Sequence, residues 1–137
     1  MEYIFETTME VRDYECDIQG IVNNANYLHY TEHTRHLFLQ SLGLSFSELN
    51  AKGEVAVVAR MELQYKIPLR GDDRFISRLN LEKEGLRYIF YQDIYRAVDE
   101  KLCFRAKATL VVLHDGRIAE SKVYDKAFEQ FFKKDAE

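Results

Sequence analysis

The stretch DIQGIVNNANYLHYTEH, Asp17 to His33, carries the change of pattern on which the fold turns. Before it, Tyr3 to Arg12 has a strand-like composition. Asp13 to Asn24 breaks that pattern, with Gly20 as the turn residue. From Ala25 to about Leu42 the apolar period becomes helical. Tyr27, Tyr30, Thr31, Thr34, Leu37, Phe38 and Leu42 fall on one broad face, and His29, Glu32, His33, His36 and Gln40 on the opposite one. Such a helix is amphipathic and lies against something flat and apolar. Gly43 is placed to end it. A short helical piece, Ser45 to Ala51, follows, with Ser45 or Ser47 as its cap.

Everything after this helix reads as strands until the last turns of the chain. Glu54 to Lys66 is rich in valine, and Ile67 to Asp72 holds the only proline, Pro68, and reads as a connection. Asp73 to Lys83 alternates through Phe75, Leu79 and Leu81. Glu84 to Leu86, centred on Gly85, is a hairpin turn. Arg87 to Val98 is a long aromatic strand, and Asp99-Glu100 is the next turn. Lys101 to Leu113 puts Leu102, Phe104, Ala106, Ala108, Leu110 and Val112 on one face and Cys103, Arg105, Lys107 and Thr109 on the other. His114-Asp115-Gly116 is again a turn. Val123, Tyr124, Ala127, Phe128, Phe131 and Phe132 give a final amphipathic helix.

This order predicts an α+β fold: about five antiparallel strands, mostly linked by hairpins, curved around one long central helix. With so few elements a sheet face or edge stays open, and a homodimer that continues the sheet would protect it.

Bulk properties narrow the function. The length of 137 residues suits one domain, spanning 1–137. A hydrophobic content of 47% supplies a core, and one proline with six glycines excludes a collagen-like or disordered chain. A net charge of -4 with 19 basic residues argues against nucleic acid as partner. No apolar run approaches the ~20 residues of a membrane helix. The N-terminal MEYIFETTMEVRD reads as neither signal nor transit peptide. Cys16 and Cys103 lie far apart without a CxxC motif, as expected of reduced thiols in a cytoplasmic protein.

Two chemistries compete within the opening stretch. HYTEH, His29 to His33, spells the zinc-hydrolase pattern H-x-x-E-H on a helix. Its side chains lie opposite the apolar stripe, and no other histidine or cysteine cluster supplies a further ligand. The expectation is a solvated polar face and no metal. The other half begins with an acid and ends in a helix start. A helix N-terminus carries unpaired N–H groups and partial positive charge. Asn23 or Asn24 is the cap candidate. Those N–H groups can bind a carbonyl oxygen that becomes negative during acyl transfer. Asp17 sits seven residues earlier, and Gly20 lets the chain fold back. Spacing alone equally allows a plain loop aspartate beside a plain helix cap.

CDIQGIVNNANYLHYTEHTR resembles the signature segment of hotdog-fold thioesterases of the 4-hydroxybenzoyl-CoA thioesterase type. Asp17, Gly20, Ile21, Val22, Asn26 and Tyr27 match the family's acid, glycine, apolar pair and closing tyrosine. VVARMELQYKIPLRGDD, Val57 to Asp73, looks like the family's next strand and connection, and the resemblance runs from about Tyr3 to Asp125. It implies a hotdog fold and an acyl-thioester hydrolase acting on acyl-CoA or acyl-ACP, with no metal or redox cofactor. By this resemblance Asp17 is the catalytic acid residue, and the N–H near Asn24 polarises the thioester carbonyl. Many relatives have histidine where this chain has Asn24; the Val-Asn-Asn run is similar to the variant in acyl-ACP thioesterases. Asparagine can hydrogen-bond but cannot shuttle a proton. Asp17 is then the nucleophile or the general base, and the sequence leaves both open.

The resemblance also marks Gly20, Val22, Asn23 and Tyr27 as lining the site. Val57, Val58 and Ala59 become the strand that passes the pantetheine arm, or plain core strand. Arg60, Lys66, Arg70 and Arg87 are cations that could meet CoA phosphates or an acidic carrier protein, with Arg87 preferred. Glu32 and Arg35 have the spacing of a surface ion pair. Active sites of this family form between subunits, so a homodimer or homotetramer is implied. A non-catalytic acyl- or CoA-binding module on the same fold is the alternative. A hotdog dehydratase is not expected, because no histidine stands in the loop after Asp17.

Overall fold

The computed structural model describes residues 2–132. In chain order come β1 (Phe5–Glu10), α1 (Asn24–Ser41), α2 (Phe46–Ala51), β2 (Val55–Tyr65), β3 (Arg74–Glu84), β4 (Arg87–Arg96), β5 (Leu102–His114), β6 (Arg117–Ala119) and α3 (Lys122–Phe132). The strands form one antiparallel sheet in the order β1-β3-β4-β5-β2, with β6 paired to the end of β5. The element order and sheet agree with the hotdog arrangement. The sixth strand was not expected. It is three residues long, too short to show alternation, and follows the turn at Asp115 and Gly116.

The β3–β4 hairpin turns where the sequence places it. Gly85 has φ +61° there, in the left-handed region that costs glycine nothing. Ser45 caps α2 by accepting from the Glu48 N–H at 3.3 Å.

α1 lies across β1 and β3 on the inner face of the sheet. Tyr27, Tyr30, Thr31, Thr34 and Phe38 are buried as the helical period requires. Leu39 and Arg35 are buried too, while Leu37 is half-buried. The expected surface ion pair between Glu32 and Arg35 is therefore incorrect. Arg35 is only 5% exposed, and its Nη1 donates to the Gln92 side-chain oxygen at 2.9 Å. Gln92, on β4, is fully buried and donates in turn to the Thr31 carbonyl at 2.9 Å. A neutral amide on a strand 57 residues away thus draws the guanidinium inward.

This polar layer, extended by a 2.7 Å bond between Thr34 and Ser77, crosses the helix–sheet interface at mid-height. On one side lie Val11, Val22, Tyr27, Tyr30, Phe75, Ile94 and Phe104. On the other lie Phe38, Leu39, Leu79, Leu81, Phe90, Tyr124 and Phe128, closed by α3. The first cluster supports the start of α1, and the second supports its end.

Candidate active site

The residues from Asp13 to Val22 make the corner from which α1 departs. A single 3-10 turn, Asp13–Glu15, precedes a narrow hairpin in which Cys16 bridges Val22. Asp17 sits at its head. The Asp17 N–H donates to the Ile21 carbonyl at 2.9 Å, and the Gly20 N–H donates to the Asp17 carbonyl at 3.0 Å. Gly20 has φ +79°, so its left-handed backbone is what lets the chain turn back. The hairpin is tied to the body by the Val22 N–H, which donates to the Leu69 carbonyl at 2.8 Å, and by a bridge between Ile21 and Arg70.

The Asp17 side chain is half-buried, and its Oδ1 accepts the Gln19 N–H at 3.0 Å. The Gln19 side-chain amide, turned with its nitrogen toward Asp17, lies 3.3 Å from both carboxylate oxygens. These two neutral donors orient the carboxylate without neutralising it.

Asn23 is the N-cap of α1: its side chain accepts the Ala25 N–H at 3.0 Å, and its carbonyl accepts the Asn26 N–H at 2.9 Å. The first N–H groups of a helix have no partner within it. With those of Ala25 and Asn26 engaged, the Asn24 N–H at this exposed helix start has no partner among the described residues. Asn24 itself is exposed, and its carbonyl accepts the Tyr65 hydroxyl at 3.2 Å. An unpaired donor at the positive end of an 18-residue helix is suited to hold an oxyanion.

Glu15 holds this corner together, and sequence reasoning missed it. Its carbonyl accepts the Asn23 N–H at 2.9 Å and the Asn26 side-chain amide at 2.7 Å. Its buried carboxylate accepts the Arg12 N–H at 2.7 Å and the Tyr30 hydroxyl at 2.8 Å. Burial, followed by that carboxylate, pushes the Tyr30 phenol far up, so Tyr30 stays a neutral donor. Tyr27 is 3% exposed; it stacks on Phe104 at 4.9 Å and accepts the Leu69 N–H at 3.0 Å. Burial raises its phenol as well. Both tyrosines brace the helix start from below. Val22, at 2% exposure, does the same.

The remaining candidates lie elsewhere in one chain. Val57, Val58 and Ala59 stand on β2, the free edge of the sheet, and Ala59 is the extra residue of a bulge between Val58 and Arg60. Seven residues separate Val58 from Tyr65, roughly 23 Å of extended strand. Arg87 is exposed beside Arg60 and Lys107 in an open groove of about 440 Å³ that also touches Ala59. Glu62 lies 3.8 Å from both Arg60 and Lys107. Lys66 and Arg70 are exposed and do not join this groove.

His29 and His33 are exposed, as expected, along a groove between α1 and β1. Among the described residues no three His, Cys, Asp or Glu side chains are grouped to hold a metal ion. Burial and neighbouring carboxylates raise the Cys16 thiol, which suits an inert side chain. No helix among the described residues is long and apolar enough to cross a membrane.

The family model for the thioesterase-like superfamily matches residues 11–131. The chain belongs to that superfamily. It is 32% identical over 114 residues to the acyl-acyl carrier protein thioesterase ATL3 of Arabidopsis thaliana, covering 82% of this chain and 60% of the plant protein. ATL2 of the same plant is 34% identical over 109 residues, covering 79% and 58%. The chain therefore spans about 60% of the length of these relatives. A crystal structure of a hypothetical protein from Aquifex aeolicus superposes with a TM-score of 0.83 at 30% identity, covering 90% of this chain and 98% of that one. A 1,4-dihydroxy-2-naphthoyl-CoA thioesterase from Synechocystis shares the fold, with a TM-score of 0.82 at 19% identity, covering 90% and 93%.

Proposed function

We propose that this member of the thioesterase-like superfamily hydrolyses acyl thioesters carried on CoA or on an acyl carrier protein. The observation that carries this reading is the unpaired Asn24 N–H at the start of α1, at the same corner as the Asp17 carboxylate. In the reaction a water oxygen ends up bonded to the acyl carbon and the C–S bond breaks. The thiolate leaves and takes up a proton. Asn24 N–H receives the carbonyl oxygen as it becomes negative. Asp17 either takes the proton of the attacking water or attacks the carbonyl itself, giving an anhydride that water then opens. The Asn24 side chain assists only as a hydrogen-bond partner.

The working unit on this reading is a dimer joined through β2. This 11-residue strand ends the sheet, and Val58 and Tyr65 are 46% and 45% exposed. An unpaired edge of that length invites a partner. Antiparallel self-pairing would lay Val57, Val58 and Ala59 of one copy alongside the half of the other copy's β2 that ends at Tyr65, against Asn24. The pantetheine arm would then pass between copies, and Arg87, Arg60 and Lys107 would meet the phosphates outside. No cofactor takes part; CoA or phosphopantetheine arrives as substrate.

The test is thiol release over short, long and aromatic acyl-CoAs and acyl-carrier proteins. Turnover of at least one thioester is expected. It should stay within about twofold in the His29→Ala/His33→Ala double variant, because these side chains point away from the site, and with chelator added. Tight CoA binding without turnover of any thioester would favour a binding module. Chelator-sensitive turnover would favour the histidine pair.

A further inference from the structure

Arg35 carries a charge with nothing opposite to it among the described residues. It is all but buried, and its Nη1 donates to the Gln92 side-chain oxygen. No carboxylate of the described residues lies within ion-pair distance, and no acceptor among them meets its other guanidinium nitrogens. Those nitrogens are not among the sealed atoms that lack a partner, so they still touch open space. Burial pushes the pKa of the guanidinium down, and Glu32, exposed on the same helix, acts the other way from beyond ion-pair distance. A cation held in this way is costly until an anion meets it.

Arg35 stands on the same line of α1 as the unpaired Asn24 N–H. Asn24, Leu28, Thr31 and Arg35 follow at spacings of four, three and four, which keeps them on one side of the helix. The line starts at the free edge of the sheet, where Tyr65 of β2 donates to the Asn24 carbonyl. It ends over β4, where Gln92 accepts from Arg35 and donates to the Thr31 carbonyl. Arg35 is therefore two strands in from the edge at which the line begins. Between the two ends the inner face of the sheet is apolar and low. Ala106 and Ala108 of β5 are in register with Leu63 and Met61 of β2, and both β2 side chains are half-buried. Leu28, on the helix line, is 37% exposed. Eleven residues of helix rise about 16 Å. Across the sheet, two strands at about 4.8 Å each and two residues at about 3.3 Å each put Gln92 about 12 Å from Tyr65.

Resting on the thioesterase reading above, we infer that Arg35 receives a carboxylate at the far end of the acyl chain, so that the preferred substrates are half-thioesters of dicarboxylic acids. With the thioester carbonyl at the Asn24 N–H, the chain runs inward over Leu63 and Met61, and its terminal carboxylate reaches the guanidinium. Each carbon of a zigzag chain advances about 1.3 Å, so a gap of about 12–16 Å takes about nine to twelve carbons. The guanidinium offers a fork that one carboxylate fills with two parallel bonds. A shorter diacid leaves its charge over apolar side chains, away from Arg35.

The experiment compares kcat/KM within pairs of acyl-CoAs of equal length, one ending in a methyl group and one in a carboxylate, from about four to fourteen carbons. Wild type is expected to favour the carboxylate member by about 10–100-fold near ten carbons, the range for a hydrogen bond to a charged group, and to show no such preference at four. In Arg35→Met the ratio within each pair should fall to about one or below, mostly through KM. Arg35→Lys keeps the charge without the fork, and its ratio should lie between the two. A residue that only supported the fold would change both members of a pair alike. A ratio that Arg35→Met leaves at its wild-type value would overturn the inference. Should Arg35→Met fail to fold by circular dichroism, Arg35→Lys decides in the same way. A wild type that treats both members alike at every length would overturn the inference and leave the thioesterase reading standing. Absence of turnover of any thioester would remove that reading instead, and calorimetric binding of the same pairs then decides the carboxylate site: tighter binding of the carboxylate member keeps it, and equal affinities overturn it.

Discussion

Asp17→Asn is expected to cut the turnover of acyl thioesters by about 10²–10⁴-fold, the range that a positioned acid or base contributes. This corresponds to about 3–5 kcal/mol of transition-state stabilisation. Both roles left open for the carboxylate lose their chemistry in the amide, which neither attacks a thioester nor accepts a proton at neutral pH. KM should change little, because the amide keeps the shape of the side chain and the carrier binds elsewhere. Stability should change by less than about 0.5 kcal/mol. Asp17 is half-buried, and an amide oxygen can still accept the Gln19 N–H. Steady-state thiol release beside thermal unfolding of the same preparation checks both halves. A variant with full turnover would remove Asp17 from the chemistry, and a variant that fails to fold would mark it as structural.

Phe38→Ala is expected to cost about 3–5 kcal/mol of stability, the range for deleting a fully buried aromatic ring. Phe38 is 1% exposed and joins three parts of the fold. Its ring lies 5.6 Å from Phe5 on β1, 6.2 Å from Phe90 on β4, and stacks on Phe128 of α3 at 5.9 Å. Removing it leaves a cavity that none of the three can close alone. Against a typical total of about 5–15 kcal/mol, that loss is a large share. The melting temperature should fall by roughly 10–20 °C, and the urea midpoint should fall with its slope unchanged. A fall of only a few degrees would mean that α3 does not close this cluster.

The elements that local pattern controls were legible. The alternation from Phe104 to Val112, the turn at Gly85 and the helical face through Tyr27, Tyr30 and Phe38 depend on residues a few positions apart, and the fold follows them; at the start of β5 a register shift against β4 instead brings Cys103, expected on the outer face, into the core beside Phe104. The turn at Gly20 and the cap at Asn23 are local too, so the corner carrying Asp17 could be read. Features fixed by distant partners could not. Arg35 looks like a surface residue until Gln92 accepts its Nη1. The link from Tyr65 to the Asn24 carbonyl spans 41 residues, and the grouping of Arg60, Arg87 and Lys107 needs three strands in register. Glu15 bears no motif at all; its role comes from the Tyr30 hydroxyl and the two asparagines around it.

The most direct test of the site is the backbone amide spectrum of ¹⁵N-labelled protein titrated with a ketone analogue of an acyl-CoA, in which a methylene replaces the thioester sulfur. The analogue cannot be hydrolysed and offers the same carbonyl oxygen. The Asn24 amide proton should move downfield, by more than any other amide of the Asp17 to Asn26 corner, as it takes up that oxygen. Saturating binding that leaves the Asn24 resonance unmoved would contradict the assignment of the oxyanion site to the start of α1.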